Sequence, residues 1–227
     1  MTTQEFFEHM DSRIAKYDLL CHPFYKAWAA GELTREDLRE YGREYYRHVE
    51  AFPSYLNEFA SRVSDPRMRR AVLANRDEEM GTDGLPAHSE LWLDFVEGMG
   101  GDRKESTTAV PEVQNLVNWF HSTAREGAPE EALAAFYAYE SQVPRVAAEK
   151  SRGLRKMYGA DEKTCGYFTL HMTADIYHSR VWRNQLAKLS EKNPEAATRA
   201  LDASENAAKA LWDALDGIEG ARLARAA

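Results

Sequence analysis

Proline opens the helices of this chain and glycine closes them. Pro66, Pro111, Pro129 and Pro194 each precede a run of apolar residues at helical spacing. Proline suits the first helical turn, where its missing N–H has no partner to lose. Gly31, Gly81, Gly98, Gly127, Gly159 and Gly217 follow such runs, as expected of residues that end helices. Thr34-Arg35-Glu36-Asp37 has the form of a capping box and starts a long helix to about residue 63, with Pro53 expected to kink it. No stretch alternates with period two under β-branched enrichment, so sheet is excluded. The spacing predicts an all-α bundle in which short loops make successive helices antiparallel.

The 227 residues, 44% of them hydrophobic, suit one helical domain spanning 1–227. The net charge of −8 lacks the basic footprint of a nucleic-acid binder. No run is long enough to span a membrane, and the acid-bearing N-terminus is not a signal peptide. Cys21 and Cys165 form no metal or disulfide spacing, which points to a reduced, cytoplasmic protein. The A-R-L-A-R-A-A end is expected to fray.

The chemistry concentrates in H-M-T-A-D-I-Y-H, residues 171–178. His171, Asp175 and His178 stand at i, i+4 and i+7, one stripe of a helix predicted over 162–190 and capped by Asp161. Apolar residues cover most of that helix's circumference, so it belongs at the centre of the bundle. A carboxylate buried there must be paired or bound to a cation. Glu140 lies on the apolar face of a helix predicted over 129–158. Pro144, four residues on, removes the donor for its carbonyl, so a kink is expected at that carboxylate. Glu78 or Glu79 ends one helix and His88 begins the next. Asp83 reads as an exposed acid, and Glu44 and His48 as pocket-lining residues. Tyr25, Tyr41, Tyr45, Tyr46, Tyr137, Tyr139, Tyr167 and Tyr177 lie on segments that can face the same region. Imidazole plus carboxylate without thiolate suits iron or manganese, and two such metals in a bundle core belong to oxygen chemistry. Paired E-x-x-H motifs of the ferritin-like kind are missing.

The order Glu78, His88, Glu140, His171, Asp175, His178 resembles the ligand set of the haem-oxygenase-like dimetal oxidases. Residues 31–56, 77–81 (D-E-E-M-G), 88–92 (H-S-E-L-W), 139–150 and 167–178 resemble the family of the chlamydial protein associating with death domains and its bacterial relatives. The broader group includes the pyrroloquinoline-quinone synthesis oxidase (PqqC) and the thiaminase-like (TenA) proteins. The resemblance implies a seven- or eight-helix bundle, a homodimer, two metal ions of iron or manganese type, dioxygen as co-substrate and an external reductant. It implies self-consuming synthesis of para-aminobenzoate for folate, with Tyr25 as ring source and Lys150 as amino donor. Glu78 matches the first glutamate of the D-E-E motif; ten residues separate it from His88, more than in the chlamydial protein. Death-domain binding is not implied, because no motif here supports it. Lys150 shares the Glu140 stripe but lies about 15 Å further along the axis, so it should border the site without touching the metals. The competing readings are an oxygenase acting on an external amine or aromatic, a metal-free enzyme of the PqqC or TenA kind using Cys165, and a non-enzymatic helical binding protein.

Overall fold

The computed structural model describes residues 1–82, 84–104, 110–191 and 193–227, so the reading of Asp83 falls outside the described residues. The helices are α1 (Thr3–Ala15), α2 (Pro23–Ala30), α3 (Arg35–Arg62), α4 (Pro66–Met80), α5 (His88–Gly98), α6 (Pro111–Glu126), α7 (Pro129–Glu140), α8 (Val143–Met157), α9 (Gly166–His171), α10 (Ala174–Ser190) and α11 (Pro194–Ala226). A single 3₁₀ turn, Leu19–Cys21, precedes α2. Among the described residues there is no strand. The all-α expectation holds; two of the expected long helices are each broken in two, which adds two to the number of helices.

Local chemistry sets the boundaries. Thr34 Oγ1 accepts from the Asp37 N–H at 3.1 Å while Asp37 Oδ2 accepts from the Thr34 N–H at 2.9 Å, the reciprocal bonds of a capping box. Asp65 and Asn193 cap α4 and α11 just ahead of their prolines. α3 runs unbroken through Pro53. The run predicted over 129–158 breaks at Ser141–Gln142, beside Pro144, so Glu140 becomes the last residue of α7. The run predicted over 162–190 breaks at Met172–Thr173. Asp161 caps only the turn before α9, where its Oδ1 accepts from the Thr164 N–H.

α11 neither stops at Gly217 nor frays: it continues to Ala226. A Cβ at Gly217 would run into the Glu112 side chain and Val110. That glycine therefore serves the close approach of α11 to the start of α6, and the Ala-, Leu- and Arg-rich residues beyond it are good helix formers.

α11 packs along α7 and α6, while α3 packs against α4, α5 and α6. α7 is buried almost throughout, and α10 packs against it by one face only: Ile176 and Tyr177 are 42% and 65% exposed, so α10 is not the central helix that its apolar residues predict. The apolar core is continuous from Phe6 to Ile218 and is rich in rings, among them Trp28, Tyr41, Phe52, Trp92, Phe136 and Trp182. α4, α7, α9 and α10 end or begin at one level of this core. Their polar side chains meet there.

Candidate metal centre

Five helix ends deliver the site. Glu79 comes from the last turn of α4, His88 from the first residue of α5 and Glu140 from the end of α7. His171 closes α9, and Asp175 and His178 open α10. All six side chains are buried. The α9–α10 break suits the charges, because an imidazolium sits at a helix C-terminus and a carboxylate at a helix N-terminus.

Two groups converge. In the first, Glu79, His88 and His171 offer ligand atoms within 4.8 Å of one another; in the second, Glu79, Glu140 and His178 do the same. Glu79 belongs to both. Its Oε2 lies 2.8 Å from His88 Nδ1 and its Oε1 lies 3.9 Å from His171 Nε2. The His88 contact is misaligned, so His88 Nδ1 is a buried nitrogen without a hydrogen bond. Glu140 Oε1 lies 3.7 Å from His178 Nδ1.

The structure turns Glu79, and not Glu78, toward both groups. The Glu78 side chain is 50% exposed and its Oε2 lies 2.9 Å from His178 Nε2, on the outer side of that imidazole. Adjacent helical positions differ by about 100° around the axis, so only one of the two glutamates can face inward. Asp175 lies in neither group. Its Oδ1 faces His178 Nδ1 at 3.2 Å, where it orients the ring.

Sequence reasoning missed two supporting side chains. Asn75 Nδ2 donates to Glu140 Oε1 at 2.9 Å, and Trp182 Nε1 donates to Glu140 Oε2. Both stand one helical turn from a site residue, Asn75 before Glu79 and Trp182 after His178, and that i, i+4 relation was the available signal. His171 Nδ1 lies 2.7 Å from the Tyr167 carbonyl, which leaves Nε2 to face Glu79.

The donor chemistry fits a pair of cations. One group supplies two imidazoles and a carboxylate, the arrangement that suits non-haem iron. The other supplies one imidazole and two carboxylates, a harder set that suits manganese or iron. The cysteines are elsewhere: Cys165 is fully buried, and burial pushes its thiol up, so it is no nucleophile.

Protonation supports this reading. Burial alone would lower His171 and His178, but the neighbouring carboxylates outweigh it. Asp175 and Glu79 raise His171 to about 9. Asp175, Glu140 and Glu78 raise His178 to about 10. Burial pushes Glu140 up to about 8, against the pull of His178. Burial also opposes the charge on Glu79, but His88 and His171 overcome it and hold its carboxyl well below the usual range. At pH 7 the metal-free site therefore carries two imidazolium ions and a neutral Glu140. Cations take these groups only when deprotonated. Titrating the metal-free protein with Mn(II) or Fe(II) at pH 7, in weak buffer with an indicator dye, is expected to release about three protons per chain. Affinity is expected to rise with pH up to about 10. Binding without proton release would overturn this account.

A second buried cluster lies one chamber away. Lys150 is only 6% exposed, so it is no surface lysine. Its Nζ lies 2.7 Å from Tyr25 Oη and 2.5 Å from Tyr41 Oη, and the two hydroxyls are 2.9 Å apart. Burial drives the amine well below its ordinary value, and burial raises both phenols. Burial thus disfavours the charged form of the amine and of both phenols. As expected, Lys150 borders the site without joining it: it lines a narrow chamber with Tyr25, Tyr45, Tyr139 and Tyr167. Tyr139 and Tyr167 also wall the inner space beside Glu79, Glu140 and His171. Gln142, just past Glu140, ties the two clusters together, since its Oε1 accepts from the Leu19 N–H at 3.0 Å in the turn leading to α2.

The remaining tyrosines and the Glu44–His48 pair sort differently. Tyr46 is buried apart from both chambers, Tyr137 bonds Asp11 and Arg183, and Tyr177 is 65% exposed. Glu44 lines neither chamber; its carboxylate accepts from the Val110 N–H. His48 is packed among Tyr45, Phe52 and Tyr139, and burial lowers it to about 3.

The architecture is that of the haem-oxygenase-like helical proteins. A TenA homologue from Pseudomonas syringae superposes with a TM-score of 0.80 at 18% identity, over 96% of this chain and 92% of that one. More narrowly, residues 39–212 match the family described as iron-containing redox enzymes, and the chain belongs to it. It is similar to the 4-aminobenzoate synthase of Nitrosomonas europaea, at 39% identity over 96% of this chain and 92% of the relative. It is also similar to the 4-aminobenzoate synthase of Chlamydia muridarum, at 35% identity over 95% and 91%. The enzyme class expected from the sequence is thereby shown. No helix among the described residues is long and apolar enough to cross a membrane.

Proposed function

We propose that this protein is a two-metal, dioxygen-dependent oxidase that makes 4-aminobenzoate from its own Tyr25, with Lys150 as the amino donor, as part of folate supply. The contact between Lys150 Nζ and Tyr25 Oη, 2.7 Å, carries the reading. The product is a benzene ring bearing one carbon and, para to it, a nitrogen. Tyr25 offers that ring, that carbon as its Cβ, and an oxygen at the para position. The nitrogen that must replace the oxygen already touches it. The exchange breaks the Lys150 Cε–Nζ and Tyr25 Cα–Cβ bonds and releases the para oxygen as water, while dioxygen, with electrons from the external reductant, would oxidise Cβ to the carboxylate.

Two iron or manganese ions held by Glu79, His88, Glu140, His171 and His178 would supply the reduction of dioxygen. The protein does the rest. Burial disfavours the charged Lys150 amine and so favours the free base, the form that acts as a nucleophile. Tyr41 Oη bonds both partners and fixes their geometry. The Tyr25 phenol is protonated, so an electron leaving the ring is matched by a proton that the amine can take. A row of rings links Tyr25 to the metal centre. Tyr25 and Tyr41 are 6.1 Å apart by centroid, and Tyr41 stacks on Tyr45 at 5.5 Å. Tyr45, Tyr139 and Tyr167 line the same chamber, and Tyr167 stacks on His171 at 4.0 Å.

The chamber at Lys150 has a volume of about 20 Å³. A cavity that holds benzene measures roughly 150 Å³. This disparity favours the internal ring over an external aromatic substrate. Residence in a reducing cytoplasm, a homodimeric state and an external reductant complete the proposal; two free thiols support the first of these.

Protein made with ring-deuterated tyrosine, loaded with Fe(II) and Mn(II), reduced and exposed to air, tests it. The expected result is deuterated 4-aminobenzoate, at no more than one equivalent per chain, with mass lost from the peptide carrying Tyr25. Several equivalents from an intact polypeptide would overturn the proposal in favour of an external substrate.

A further inference from the structure

A groove of about 910 Å³ runs over the surface between α3 and the α4–α5 turn, and Glu79 forms part of its wall. Glu79 also walls the buried space beside Glu140 and His171. One carboxylate, 5% exposed, therefore separates solvent from the centre of both ligand groups. We propose that this groove is the port through which divalent cations reach the site, an inference that rests on the metal-binding reading above.

Three observations support it. The first is polarity. Glu50, Glu58 and Asp77 line the groove with Ser54, Asn57 and Thr82. Among the described residues Arg76 is the only cation lining it, but each carboxylate has a basic neighbour that an arriving ion must displace: Arg76 beside Asp77, Arg47 3.5 Å from Glu50, and His121 and Arg125 at 2.8 and 2.7 Å from Glu58. Oxygen atoms of this kind exchange readily for the waters of a hard divalent ion. The second is the buried His88 Nδ1, which lies 2.8 Å from Glu79 Oε2 without the alignment of a hydrogen bond. His88 stands between Ala87 and Ser89, both of which line the groove. A cation arriving at Glu79 thus meets a nitrogen ready to bind it. The third is the character of the other approach. The chamber on the Lys150 side is walled by Leu19, Trp92, Val143 and Phe168. A partly dehydrated ion crossing it would meet phenol hydroxyls and the Lys150 amine but no carboxylate, so its charge would go uncompensated.

The route follows as a relay of carboxylates. Glu50 and Asp77 at the rim attract the hydrated ion, and Glu79 takes it over as waters are shed. The same carboxylate then passes it to either ligand group by engaging one oxygen or the other. Glu78, on the outer side of His178, marks a competing entrance.

Rapid mixing of metal-free protein with Mn(II) alone, followed by loss of the paramagnetic resonance signal of the free ion, measures uptake. The double variant Glu50→Gln/Asp77→Asn is expected to load about tenfold more slowly at low ionic strength. It should reach the wild-type stoichiometry, and the wild type alone should be slowed strongly by salt. Ser54→Trp, which narrows the groove without removing charge, is expected to load slowly and to keep the salt dependence. Unchanged rates in both variants would overturn the port, as would slow loading confined to Glu78→Gln. A wild type that binds no Mn(II) or Fe(II) would overturn the metal centre itself, a different result from rapid loading in every variant. Thermal unfolding of each protein confirms that the fold is retained, and Glu50→Gln alone replaces the double variant if that one melts early.

Discussion

Glu79→Gln is expected to remove both metals and all 4-aminobenzoate formation, while Glu78→Gln keeps both metals and most of the activity. Glu79 is shared by the two ligand groups, and its carboxyl is held ionised by His88 and His171. An amide of the same shape carries no charge and presents one oxygen instead of two, so neither group keeps its anionic bridge. The effect should exceed the 10- to 100-fold loss that follows removal of an orienting neighbour. Glu78 is such a neighbour: it contacts the far nitrogen of His178 and stands half in solvent. Metal analysis of the two variants, purified anaerobically and reloaded with Fe(II) and Mn(II), separates them. Equal loss in both, or loss only in Glu78→Gln, would return the ligand role to Glu78.

The second large effect concerns the amine. Lys150→Met is expected to abolish 4-aminobenzoate while leaving metal content at wild type, and to raise thermal stability at neutral pH. Methionine matches the lysine stem in length and brings no polar group into the core. The stability gain has a defined sign with pH. Burial depresses the Lys150 pKa well below its ordinary value. The unfolded chain therefore keeps its lysine proton to higher pH than the folded chain does. Stability of the wild type then rises with pH until the unfolded lysine, near pH 10.4, also loses its proton. The advantage of Lys150→Met should accordingly be largest near neutrality and vanish by about pH 10.4. Tyr25→Phe provides the matching control: it deletes the para oxygen but keeps the ring, so it too should yield no product with metals in place. A Lys150→Met protein that melts lower than wild type at pH 7 and higher at pH 10 would show a charged, paired lysine instead. Full product yield from either variant would remove Tyr25 and Lys150 from the reaction.

Much of this was legible in the sequence because it rests on local rules. Proline and glycine punctuation located α4, α6, α7 and α11 at their starts, and the Thr34 box located α3. The stripe of His171, Asp175 and His178 survived the break at Met172–Thr173, since a helix interrupted for two residues still presents its next turn to the same neighbour. Glu140 stood out because an acid between Phe136 and Val143 must have partners inside the fold. What failed needed distances across the fold. The inward glutamate of α4 depends on the rotation of a short helix with a weak apolar face, and adjacent positions give no local reason to prefer one. Gly217 resembles a helix end by residue type, yet its role is set by Glu112 and Val110 of another element. The hydrogen bonds of Lys150 to Tyr25 and Tyr41 join residues more than a hundred positions apart, which no pattern along one helix announces.

The packing around Tyr25 has a consequence for the life of the molecule. Its ring is buried against Phe24, Trp28 and Tyr41 in the densest part of the protein. If the ring leaves as product, a void the size of a phenol remains behind. Emptying an aromatic site costs about 3–5 kcal/mol, a large share of the 5–15 kcal/mol that holds an ordinary domain together. A spent chain would open more often than a fresh one and fall first to proteolysis. The supply of this product would then be metered by translation, one polypeptide for each molecule made.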